Sequence, residues 1–420
     1  MKKTITLFIL VSIVSANLLA QSRKKILFIG NSYTYGNSLP QALANICKDN
    51  HDTINVDSYA QGGYYLGDHV RDAVALEKIK RPNWDYIILQ DQSLAYAYYT
   101  FKNTIPYAVL LDSLRRVFSP CGQTLFYITW GRKNGDQYWC SPPYCETDTL
   151  VRRTYYEMDS TIQLNYMYAT DSIKASASPV GAVWRYIRRN YPNIELFQVD
   201  ESHPTEEGTY AAACCFYTAI FKKNPLSITN NFTLNATDAA NIRKAVKAVM
   251  FDSLVNWRIG THFKSTLAAN NVVTFQNQTH NATGYEWSFG DGNTSTDENP
   301  VHTYAANGSY TVKLKTHYCT STDSTSKVVV ANTGVSTGLQ NYIPLNNIMV
   351  YPNPVTSQLV LGTDRVDGVQ LVNALGQIYT LPYNKAGTNT VVDLSTFPAG
   401  MYMLLLSQNN TVFTHKIVKH

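Results

Sequence analysis

A chain of 420 residues, 45% of them hydrophobic, is too long for one ordinary domain, and two to four units, each with its own core, are expected. The formal charge of +5 includes Lys2 and Lys3, and the other basic residues are scattered, which argues against nucleic acid as a partner. No run after the N-terminus approaches the roughly 18 apolar residues of a membrane span, so no transmembrane anchor is expected.

In chain order, Lys2-Lys3, the apolar run Ile5 to Val14 and the small residues from Ala16 to Ala20 have the three regions of a secretory signal peptide, so residues 1–20 should be removed on export. From Lys24 to about Trp257, apolar runs alternate with amphipathic stretches, the pattern of an α/β domain with a parallel sheet. The expected strands are Lys25 to Gly30, Ile54 to Tyr59, Asp85 to Leu89, Thr124 to Trp130 and a short one at Glu195 to Val199. Thr205-Glu206-Glu207 reads as a helix start. Seven cysteines are an odd number for an exported protein. Cys140 and Cys145 bracket a Ser-Pro-Pro-Tyr turn and are the disulfide candidates, while Cys214-Cys215 sit in an apolar helical pattern and read as core. No metal-ligand spacing is present.

Four short segments fall at or just beyond the expected strand ends: Gly30-Asn31-Ser32, Gly62-Gly63, Gln90-Asp91-Gln92-Ser93 and Asp200-x-x-His203-Pro204. In an open α/β sheet such positions converge on one rim, where ligands bind. A histidine three residues after an aspartate can take a proton from a distant serine while the aspartate fixes its tautomer. Alone, Gly-Asn-Ser would read as a turn serine or helix cap.

In order and spacing the four segments resemble the blocks of the SGNH (GDSL-like) hydrolase family. Two departures mark a divergent member: Asn31 replaces the usual Asp, and the third block lacks the usual Gly-x-Asn-Asp. The resemblance implies a flavodoxin-like three-layer α/β domain over about 22–257, with Ser32 as nucleophile, His203 as base and Asp200 as its orienter. It implies an oxyanion hole made of the Ser32 N–H, a second-block N–H from Gly63 with Gly62 as the close competitor, and an amide at Gln92, with no cofactor and no metal. His69 lies near the second block, but packing is its expected role. Trp130, Arg132 and Asp136 leave another strand at the same rim and could hold a hydroxyl-rich ligand. The implied reaction is hydrolysis of O-acyl, above all O-acetyl, esters on carbohydrates or other small esters. A lipid or thioester hydrolase and a non-catalytic carbohydrate-binding or adhesive protein are the alternatives.

After Trp257 the pattern changes to short alternating strands with turn signals, a β-sandwich signature. Tyr285-Glu-Trp-Ser-Phe-Gly-Asp-Gly292, Asn299 to Tyr304 and Gly308 to Val312 resemble a PKD domain, an immunoglobulin-like module, placed at 262–332. Trp287 and Phe289 should face its core, with a tight turn at Gly290-Asp291-Gly292. A polar linker, 333–344, leads to a third β-rich unit, 345–420. Val350-Tyr-Pro-Asn-Pro354, Leu375-Gly-Gln377, Phe397 to Tyr402 and Lys416 to Lys419 resemble the C-terminal sorting domain of type IX secretion cargo in Bacteroidetes. That resemblance implies the type IX machinery as a partner, export across both membranes, and a secreted or cell-surface protein.

Overall fold

The structure is a computed structural model that describes residues 23–98, 101–140, 149–268, 270–319, 321–331, 342–344, 348, 350–363, 365–373, 378–387, 389–408 and 411–419. The chain forms two compact units, one up to residue 332 and one beyond it.

The first unit opens with strands β1 (Lys24–Gly30), β2 (Ile54–Ala60), β3 (Tyr86–Leu89) and β4 (Gln123–Tyr127). A separate antiparallel hairpin follows, β5 (Asp136–Cys140) with β6 (Thr149–Arg153), and then β7 (Ser176–Ser178). The main sheet has the order β2-β1-β3-β4-β7 and is parallel throughout. Ile26, Leu27, Phe28 and Ile29 are all fully buried, because a parallel sheet covered by helices on both faces needs a continuous apolar strand rather than an alternating one. This is the doubly wound, flavodoxin-like order. Its reversal lies between β1 and β3, which opens a crevice at their carboxyl ends.

Two expected strands differ. The run from Thr124 leaves the sheet at Tyr127, so Trp130 lies in a loop. Glu195 to Val199 forms no sheet strand: Phe197 makes only an isolated bridge to Pro204, and its ring packs edge-on against Trp184. The fifth sheet strand is instead Ser176–Ser178, three small residues whose pattern carries no strand signal. Helix Glu206–Phe221 begins as expected, with the Thr205 hydroxyl accepting from the Gly208 N–H, and buries Cys214 and Cys215.

The rest of the first unit is a sandwich of a three-stranded and a four-stranded antiparallel sheet. Its core holds Phe263, Phe275, Trp287, Phe289, Val312 and Leu314. Gly290 and Gly292 both have positive φ, +85° and +97°, as the tight turn requires. The sandwich is joined to the α/β domain by a disulfide, Cys121–Cys319, by a Lys222–Asp323 ion pair at 2.6 Å, and by a His280 Nδ1 bond to the Ala175 carbonyl at 2.8 Å. Cys121 precedes the first residue of β4, so the sandwich docks at the amino ends of the strands, opposite the crevice. The Cys140–Cys145 pairing lies outside the described residues.

The second unit also stacks two sheets, of five and four strands, around Leu359, Leu361, Val369, Leu371, Leu404, Leu406 and Ile417. Among the described residues no helix is long and apolar enough to cross a membrane.

Candidate active site

β1 ends at Gly30, and Asn31 caps the short helix Ser32–Tyr35 that follows it. Asn31 Oδ1 accepts from the Tyr33 N–H at 3.2 Å and from Gln90 Nε2 at 2.9 Å, while its Nδ2 donates to the Tyr64 carbonyl at 3.0 Å. An aspartate here could not make that donation. Gln90, fully buried at the end of β3, returns the contact: its Oε1 accepts from the Asn31 N–H and from Thr34 Oγ1, both at 2.9 Å. A Cβ on Gly30 would stand 2.6 Å from Gln90 Oε1 and 2.3 Å from Thr34 Oγ1, so glycine is what admits this amide. Gln90 thus braces the turn bearing Ser32, a role its sequence position did not disclose.

Ser32 Oγ lies 2.8 Å from His203 Nε2. On the other side of the ring, His203 Nδ1 bonds Asp200 Oδ2, and Asp200 Oδ1 accepts from the backbone N–H groups of Ser202 at 3.1 Å and His203 at 3.0 Å. Partial burial pushes the Asp200 carboxyl up, but hydrogen bonds from the His203 ring and from these two N–H groups outweigh it and hold the group at about 2. It is therefore an anion at neutral pH, and its acceptor role leaves Nδ1 protonated and Nε2 free to receive a proton from Ser32.

The loop carrying these residues is closed on itself. The Gln198 N–H donates to the His203 carbonyl at 2.8 Å, and Glu201 sits in the left-handed region at φ +61°. The loop after β4 braces it from outside: the Lys133 N–H donates to the Glu201 carbonyl at 2.9 Å, and Asn134 Nδ2 to Glu201 Oε1 at 2.7 Å. Trp130 corrects an expectation. It is 1% exposed, with its ring stacked against both Tyr33 and Trp184, so it packs inside rather than offering a face to a ligand. Arg132 and Asp136 remain partly exposed, 3.4 Å apart.

Gly63 has φ +76°, and beyond its chain neighbours nothing lies within 4 Å of where its Cβ would stand, so that side of the residue is open. The Gln92 Oε1 accepts from the Leu94 N–H at 2.6 Å, which pins the carboxamide within its loop. Asp91, buried beside it, accepts from the N–H groups of Leu66 at 2.9 Å and Gln92 at 2.8 Å, tying the second block to the third. Burial pushes the Asp91 carboxyl up to about 7 against those two bonds. His69 is fully buried, with Nε2 2.9 Å from the Gly30 carbonyl, and supports the end of β1 as packing. His51 lies exposed in a turn. Among the described residues no group of His, Cys, Asp or Glu is placed to hold a metal ion.

Residues 260–332 match the PKD domain family, and residues 349–420 match the secretion system C-terminal sorting domain family. A DUF4886 family protein from Bacteroides uniformis is similar in structure, with 16% identity and a TM-score of 0.46, over 56% of this chain and 95% of that one. A GDSL-like lipase from Bacteroides thetaiotaomicron is similar at 15% identity and a TM-score of 0.31, over 49% of this chain and 92% of that one. Collagenase ColA of Bacillus cereus is 39% identical over 64 residues, which are 15% of this chain and 6% of the collagenase. The sorting domain makes this chain a cargo for export to the cell surface or beyond, with a PKD domain preceding that signal in sequence.

Proposed function

We propose that the protein is a serine esterase of the SGNH type, with Ser32, His203 and Asp200 as its catalytic residues. The observation that carries the reading is the hydrogen-bonded chain from Ser32 Oγ through the His203 ring to Asp200, at the carboxyl end of β1. The Ser32 proton passes to His203 Nε2 as Oγ bonds to the ester carbonyl carbon. The resulting oxyanion is held by the N–H groups of Ser32 and Gly63 and by the Gln92 amide. Collapse breaks the carbon–oxygen bond to the alcohol, which leaves with the proton from His203. Water then loses a proton to His203, attacks the acyl-enzyme and releases the acid, returning the proton to Ser32.

The substrate we favour is a short O-acyl group, such as acetyl, on a carbohydrate. Its support is a shallow, open depression of about 450 Å³ beside the catalytic loop, whose lining includes the polar side chains of Asn134, Asp136, Gln137, Arg153, Thr154 and Glu157, groups that suit a hydroxyl-rich alcohol better than a lipid chain. The test is turnover of p-nitrophenyl esters of increasing chain length and of acetylated oligosaccharides, with Ser32→Ala as control. A preference for two-carbon acyl groups and loss of turnover in Ser32→Ala are expected. A preference for long chains would move the substrate to lipids, and unchanged turnover in Ser32→Ala would end the serine mechanism.

A further inference from the structure

We propose that Tyr33, acting with Ser202, is a positioning residue that fixes where the His203 ring stands relative to the Ser32 hydroxyl; the inference rests on the esterase reading above. Asp200 and His203 keep 45% and 36% of their side chains exposed, so the loop that bears them faces solvent and must be held from inside. Ser202, only 7% exposed, is the inward member of that turn. Its carbonyl accepts from Trp130 Nε1 at 3.0 Å, and its hydroxyl lies 2.6 Å from the Tyr33 phenol. Tyr33 directly follows the nucleophile in the chain but turns inward and is 2% exposed. Burial raises its phenol, against the bond to Ser202, so it stays neutral and keeps a proton to donate.

The ring of Tyr33 continues the restraint. It lies flat on Trp130 at 4.7 Å and meets the His203 ring edge-on at 5.4 Å. Trp130 lies flat on Trp184 at 3.6 Å, and Trp184 meets Phe197 edge-on at 4.9 Å. Phe197 bridges to Pro204, the residue after His203. A path of ring contacts completed by a backbone bridge therefore runs from the turn of the nucleophile to both ends of the loop of the base. Nucleophile and base, 171 positions apart in sequence, are held in register by this path as well as by their own hydrogen bond. Small misplacements of such a pair are costly in rate, because the reacting groups must meet in a narrow range of geometries.

Tyr33→Phe keeps the stack and removes only the phenol, and Ser202→Ala removes the other half of the same bond. Steady-state kinetics on a short ester, with phosphonate titration of the number of working sites, tests the pair. Each single variant should lower kcat about tenfold or more, with KM within about twofold, since a buried hydrogen bond deprived of one partner commonly matters at that level. The double variant should be no worse than either single one. Titration should count as many sites as in the wild type, which separates a misplaced base from a misfolded fraction. Unchanged kcat in Tyr33→Phe, losses confined to KM, or losses that multiply in the double variant would overturn the positioning role. Ser32→Ala separates the two levels: inactive Ser32→Ala with fully active Tyr33→Phe sinks this inference alone, whereas active Ser32→Ala removes the esterase reading itself.

Discussion

A serine hydroxyl attacks an ester only when its proton has a receiver already aligned, and a 2.8 Å contact with His203 Nε2 supplies that receiver. If Ser32, His203 and Asp200 form the proposed catalytic unit, Ser32→Ala and His203→Ala should each lower kcat by several orders of magnitude, and the double variant should be little worse; single-turnover and steady-state rates on one short ester check this. Gln92 needs a subtler substitution. Its Oε1 already caps the Leu94 N–H, so Gln92→Ala removes a loop contact and an oxyanion donor at once. Gln92→Glu keeps the acceptor for Leu94, deletes the donor and adds a negative charge that an oxyanion within reach would feel. If the amide serves the oxyanion, Gln92→Glu should lose about a few hundredfold in kcat at unchanged Tm, in line with the roughly 3 to 4 kcal/mol attached to such donors. Wild-type kcat in Gln92→Glu would leave the residue as a cap alone.

The rim of the sheet is assembled by contacts between elements far apart in sequence, and Asp91 is the clearest of them. It binds the first turn after the second block and the start of the third. Its carboxyl is held at about 7 in the fold, chiefly by burial, against about 3.9 in an unfolded chain. Between those values the folded state binds more protons than the unfolded one, so stability should fall as pH rises from about 4 to about 7. Asp159, also raised by burial, to about 6 against its ion pair with Arg185, acts with the same sign. Asp91→Asn keeps an oxygen for both N–H groups and should flatten the decline; Tm measured from pH 4.5 to 8 on both proteins checks it, and equal slopes would remove Asp91 from the account. The same long-range character explains what the sequence left hidden. Strands β1 and β3 were legible because burial on both faces demands unbroken apolar runs. Ser176–Ser178 was not, because its place depends on pairing with β4 rather than on its own residues. Leu196 and Phe197 are apolar for another reason: both are buried, and Phe197 packs on Trp184 away from the sheet. Asp200 and His203 stood out by spacing, and Ser32 by the resemblance of its segment to a known family's first block. Gln90 and Ser202 did not, since their partners lie 59 and 169 positions away.

At the scale of the whole molecule the first unit joins the proposed active site to a sandwich docked at the far end of the sheet. Helix Glu206–Phe221 starts beside His203 and ends beside the Lys222–Asp323 contact, about 24 Å later at 1.5 Å per residue. Cys121 and Cys319, 198 positions apart, close a loop that a chain-entropy treatment values at up to about 5 kcal/mol. Cys319→Ser should therefore lower Tm while leaving kcat on a short ester unchanged, and a fall in kcat at temperatures well below Tm would mean that the sandwich reaches the site. The second unit bears on destination rather than chemistry. It has its own core, and residues 349–420 carry the secretion sorting domain. The first unit holds the complete Ser32–His203–Asp200 chain, so a protein ending at residue 332 should fold and retain its turnover. Without the sorting domain it should remain inside the outer membrane. Cell fractionation with an ester assay checks both halves of this expectation, using full-length Ser32→Ala detected by antibody to show that export does not depend on activity. Truncated protein outside the cell in normal amount would refute sorting by residues 349–420, and truncated protein retained but inactive would mean that the second unit supports the fold of the first.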